Sequence, residues 1–124
     1  MFIEYNKNPF NNYTDDCVIR AIASEMDRDW DDVWLDIMVL AFQKKCMMSS
    51  NNVWQEYLHN NGYVRFNIPD TCPNCYTIKK FTEDFQNGSY ILGTGTHVVY
   101  VKDGDYYDTG DSGNEIPIYY WKKN

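Results

Sequence analysis

Apolar residues in the first half of the chain recur at helical spacing. Val18, Ala21, Ile22 and Met26 follow Cys17 at steps of one, three or four residues, which predicts a helix from Cys17 to about Met26. Trp30, Val33, Trp34, Ile37, Met38 and Ala41 form a second stripe at i, i+3, i+4, i+7. Asp29 stands where an N-cap belongs, and Asp31 and Asp32 suit the positive end of the helix dipole. Capping accounts for these acids without a metal site, and the Trp and Met stripe reads as core rather than as a cofactor pocket. A third helix starts near Ser49 or Ser50 and carries Val53, Trp54, Tyr57 and Leu58 on one face. Asn61-Gly62 ends it. His59 lies beside that face with no partner nearby in sequence.

The period then changes from 3.6 to two. Val64, Phe66 and Ile68 alternate with Arg65 and Asn67, which predicts a strand. Pro69 to Tyr76 is a loop. Thr77 can cap a short helix with Ile78, Phe81 and Phe85, stopped by Asn87-Gly88. Four strands follow at Ser89 to Leu92, Thr96 to Lys102, Asp105 to Thr109 and Ile116 to Trp121. Helices first and a meander of strands later predict one α+β domain over residues 1–124. Its N-terminal helices would pack on one side of a C-terminal antiparallel sheet.

Composition narrows the function classes. A hydrophobic share of 44% is enough for a core without staples. The net charge of −7 opposes nucleic acid and anionic membrane surfaces, both of which need clustered Lys and Arg. The most apolar stretch, Val33 to Phe42, is broken by Asp36 and falls far short of the roughly 20 residues of a membrane span. Met1 to Phe10 holds Glu4 and Lys7 and lacks the apolar run of a signal peptide. A cytoplasmic location is therefore expected. There Cys17, Cys46, Cys72 and Cys75 default to reduced thiols. Cys72-Pro73-Asn74-Cys75 shares the spacing of zinc knuckles and redox motifs. No second such pair completes a four-ligand zinc site, so it reads as a loop with two thiols. Neither a metal nor a cofactor is expected.

One constellation suggests a specific chemistry. Asp103-Gly104 between apolar runs is a two-residue hairpin signal. It pairs Lys102 with Asp105, Val99 with Asp108 and His97 with Gly110. Asp108 then lies diagonally from His97 on the same face, roughly 7–8 Å away between backbones. Asp111 falls beyond Gly110, where the strand ends. Cys17 opens a helix, where backbone N–H groups favour a thiolate and can hold an oxyanion. Asp15 and Asp16 oppose the thiolate, unless Asp16 turns its carboxylate to cap the helix. Each residue also has a plain reading: a small buried thiol, a polar strand-edge histidine, and a turn aspartate.

At these residues the chain resembles the papain-like cysteine peptidase superfamily, in particular the short single-domain bacterial and phage versions near the C39-like, bacteriocin-processing peptidases. The matching pieces are Asp16-Cys17-Val18-Ile19-Arg20-Ala21-Ile22, Gly95-Thr96-His97-Val98-Val99 and Tyr106-Tyr107-Asp108-Thr109. The resemblance implies a papain-like fold from about Asn8 onward, with Cys17 as nucleophile, His97 as base and Asp108 as orienter. It also implies an oxyanion donor before the cysteine. Asn11, six residues upstream, has the usual spacing, although glutamine is the commoner residue there. The expected function is hydrolysis of a peptide or isopeptide bond in a peptide or protein substrate. The same triad also fits a transglutaminase-like acyl transferase. A non-catalytic papain-fold protein that binds a host factor is a third reading, to which eleven tyrosines are suited.

Overall fold

The structure is a computed structural model that describes residues 1–124. Its elements are β1 (Phe2–Glu4), α1 (Cys17–Met26), α2 (Trp30–Lys44), α3 (Asn51–Asn60), β2 (Tyr63–Asn67), α4 (Ile78–Asp84), β3 (Ser89–Gly93), β4 (Val98–Lys102), β5 (Asp105–Asp108) and β6 (Tyr119–Lys123). The fold is α+β, with four helices and a six-stranded mixed sheet in the order β1-β5-β4-β3-β6-β2. No helix is long and apolar enough to cross a membrane.

The helices stop where a left-handed residue can close them. Asp27 (φ 52°) ends α1 and Lys45 (φ 57°) ends α2, each returning its N–H to carbonyls of the last turn. At the other end of α2, Asp29 occupies the N-cap position without a side-chain cap bond. Thr77 does cap α4, accepting from the Lys80 N–H at 3.2 Å.

Alternation along the strands gives the sheet two apolar faces. Ile91, Val98 and Trp121 pack against Ile22, Ile37, Val53, Trp54 and Leu58 of α1, α2 and α3. Their strand neighbours Leu92, Val99 and Val101 pack on the opposite face with Ile78 and Phe81 of α4. The expectation of helices on one side is corrected here, because α4 brings its own apolar stripe to the second face. The sheet is also not purely antiparallel. Phe2–Glu4, too short to show a period, pairs parallel to β5 with Glu4 beside Asp108. Met38 leaves the expected core stripe of α2 and is partly exposed, while Val33, Ile37 and Ala41 are buried. Val64 and Phe66 alternate as a strand should, yet both are exposed on the edge strand β2.

The hairpin register matches the turn argument. Lys102 pairs with Asp105, Val101 with Tyr106 and Tyr100 with Tyr107. Asp103 and Gly104 have φ of 50° and 83°, the two positive values a type I′ turn requires. Helix α1 packs across β4. Its first residue, Cys17, thereby meets the end of the sheet where His97 precedes β4 and Asp108 closes β5.

Candidate active site

Cys17, His97 and Asp108 meet at that end of the sheet. The His97 backbone is held by a bend over residues 94–97. The Thr94 N–H donates to the His97 carbonyl at 2.9 Å, and the His97 N–H donates to Thr94 Oγ1 at 3.1 Å. Gly95 supplies the positive φ, 97°, that the bend needs. The ring Nε2 lies 2.6 Å from Asp108 Oδ2. That leaves Nδ1 free of the carboxylate, and Cys17 lines the same cleft as the ring. The Asp108 carboxylate raises the His97 pKa to about 10, helped by the neighbouring Cys17 and opposed by burial. Burial pushes the Cys17 thiol up. Hydrogen bonds from His97 and the Val98 backbone, with the charges of His97 and Arg20, outweigh it and bring the thiol below its usual range. These directions favour a thiolate and imidazolium pair.

Asp108 is 3% exposed and fully engaged. Oδ2 also accepts from Ser112 Oγ at 2.8 Å. Oδ1 accepts from the Thr109 N–H at 2.8 Å and from Arg20 Nη1 at 3.3 Å. Burial raises its pKa, but the hydrogen bonds from His97, Ser112 and the Thr109 N–H, with the His97 charge, leave it below the usual carboxylate value. Asp111 takes no part. It accepts from Tyr106 Oη at 2.6 Å and from the Gly113 N–H at 2.9 Å, organising the turn after β5.

Asp16 does not cap α1. Its Oδ1 accepts from Arg20 Nε at 2.8 Å, and its Oδ2 from Trp30 Nε1 at 3.0 Å and Asn8 Nδ2 at 3.1 Å. Side-chain donors from three parts of the chain claim the carboxylate, and the first-turn N–H groups of α1 keep no side-chain acceptor. Arg20 thus bridges Asp16 and Asp108 and offsets the Asp16 part of the charge expected to oppose the thiolate. Sequence reasoning missed Arg20, Asn8, Trp30 and Ser112. Only the Asp16 to Arg20 spacing of four, which puts both on one helix face, signalled any of this.

The structure does not bring the expected oxyanion residue, Asn11, to the cleft lining. Asn11 is exposed in a left-handed turn (φ 56°), and its N–H donates to the Asn8 carbonyl at 3.0 Å. The turn is built by Asn8, whose Oδ1 accepts from the Phe10 N–H at 2.9 Å and the Asn12 N–H at 3.3 Å. Asn11 is therefore not among the residues lining the cleft beside Cys17. That cleft has a volume of about 1100 Å³. Cys17 and His97 form its floor, with Trp30 and Trp34 of α2, the 48–51 segment and Tyr119 around them. The two indoles stack with centroids 6.5 Å apart and give one wall an apolar surface.

The remaining candidates lie elsewhere. His59 is exposed on α3. Cys72 and Cys75 are joined in a disulfide, with S–S 2.05 Å, on the exposed loop before α4. This corrects the reading as two reduced thiols: the tight loop brings the Cα atoms within 4.1 Å, inside bonding reach. No group of three or more His, Cys, Asp or Glu side chains is arranged to hold a metal ion. Comparison with protein-family models, curated proteins and solved structures finds no match to the chain.

Proposed function

We propose that the protein is a papain-like thiol hydrolase that cleaves a peptide or isopeptide bond through Cys17, His97 and Asp108. One observation carries this reading: a thiol at a helix start and a histidine line the same open cleft, and the histidine Nε2 is held by a buried aspartate. The Cys17 thiolate attacks the substrate carbonyl carbon, and the C–O π electrons move onto oxygen. The Cys17 N–H at the start of α1 donates to that oxyanion. When the tetrahedral intermediate collapses, the C–N bond breaks and His97 gives its proton to the leaving amine. Water, deprotonated by His97, then releases the acyl group from sulfur. Asp108 keeps the imidazole oriented and stabilises its charged form.

An activated ester tests this without a known substrate. Incubation with p-nitrophenyl acetate is expected to give a burst of nitrophenolate and an acetyl adduct on Cys17, identified by mass spectrometry. Cys17→Ala and His97→Ala should abolish the burst. Acylation confined to Cys46, or a burst that survives Cys17→Ala, refutes the assignment.

A further inference from the structure

Helix α2 is apolar on both sides. Val33, Ile37 and Ala41 face the core, while Leu35, Met38, Val39 and Phe42 are 49%, 36%, 48% and 71% exposed. The exposed four recur at i, i+3, i+4, i+7, so they form one continuous stripe rather than scattered surface residues. The elements that pack most on α2 are α1 and α3, and they share a core with its opposite face, through Val33, Ile37 and Ala41. Contiguous exposed apolar stripes of this kind mark association surfaces.

The charges at the ends of the stripe point to its occupant. Asp31 and Asp32 lie in the first turn of α2, and Lys45 closes its last. The ion pairs that α2 makes within the chain use Asp36 and Lys44, which leaves Asp31, Asp32 and Lys45 without one. The stripe is therefore acidic at one end, apolar in the middle and basic at the other. Such a surface is complementary to itself when reversed. A twofold axis between Met38 and Val39 sets Leu35 of one copy level with Phe42 of the other. The same axis sets Asp32 level with Lys45. An axis between two such helices generates both ends of the contact at once.

We propose that this face pairs with the same face of a second copy, giving a twofold dimer through antiparallel α2 helices. The cleft of each copy is lined by Trp30 and Trp34 of α2 and by none of the four stripe residues. The inference is independent of the proposed chemistry.

Sedimentation velocity between about 1 and 300 µM tests it, a range that brackets a modest interface. The wild type is expected to rise from monomer toward dimer mass. Phe42→Glu should stay monomeric throughout, with unchanged circular dichroism because the side chain is exposed. Lys45→Glu alone, or Asp31→Lys with Asp32→Lys, should each weaken the dimer about three- to tenfold. All three changes together should restore it, since each end then again meets its opposite. A wild type that remains monomeric overturns the proposal and leaves the stripe to a different chain. A dimer indifferent to Phe42→Glu, or a triple variant no tighter than either partial reversal, overturns it as well.

Discussion

Asp108 accepts from the His97 ring, Ser112, the Thr109 N–H and Arg20, four donors on one nearly inaccessible carboxylate. A buried carboxylate so engaged stays ionised and cannot swing away, which is what an orienting group for an imidazolium requires. Asp108→Asn should therefore lower the His97 pKa from about 10 toward the ordinary 6.5. Asp111→Asn should leave it within a few tenths of its starting value, because that carboxylate bonds Tyr106 and Gly113 instead. Histidine NMR titration of both variants checks this, and equal shifts would contradict it. The pairing of His97 with Asp108 was legible because a two-residue turn fixes the register of everything behind it. The fates of Asp16 and Asn11 were not. Position at the helix start makes one a cap, and the family resemblance makes the other an oxyanion donor. Asp16 instead answers to Trp30 and Asn8, and Asn11 to the turn that Asn8 builds. The first is a tertiary choice with no local pattern, and the second is a local turn that outweighs the family role.

Among the elements, β3 and β6 meet at a position that tolerates no side chain. Gly93 pairs with Tyr119, and a Cβ at Gly93 would fall within the Tyr119 ring. Tyr119 also lines the cleft, so the tight packing here shapes the site. Gly93→Ala should displace that ring and lower stability by about 1–3 kcal/mol, as overpacking does. Urea denaturation monitors the loss, and an unchanged midpoint would mean that the ring moves aside freely. Helix α1 was readable from apolar residues at helical spacing, and β3, β4 and β5 from short apolar or aromatic runs bounded by turn residues. The strand Phe2–Glu4 was not, since three residues display no period and the partner is β5, near the other end of the chain. Strand β6 starts at Tyr119 rather than Ile116, as Pro117 supplies no N–H for a ladder.

At the scale of the molecule, two cores share one sheet, and neither includes Cys72 or Cys75. Their disulfide spans a sequence separation of only 3, so it restricts the unfolded chain far less than a long-range bridge does. Reduction is expected to leave the protein folded at 25 °C, with the thermal midpoint lowered by less than about 10 °C. Circular dichroism with and without dithiothreitol measures it, and unfolding at 25 °C on reduction would show that the loop holds the sheet together. The site itself is assembled from opposite ends of the chain. Arg20 and Asp108 are 88 residues apart, and Cys17 and His97 are nearly as distant. Closing so wide a span costs conformational entropy that only near-complete folding returns. During synthesis α1 leaves the ribosome long before His97 is made. Until the last hairpin closes, the Cys17 sulfur is an ordinary protonated thiol with no neighbouring imidazole. On the proposed function, a nascent or partly folded chain carries an unarmed nucleophile, and reactivity arrives only with the finished molecule.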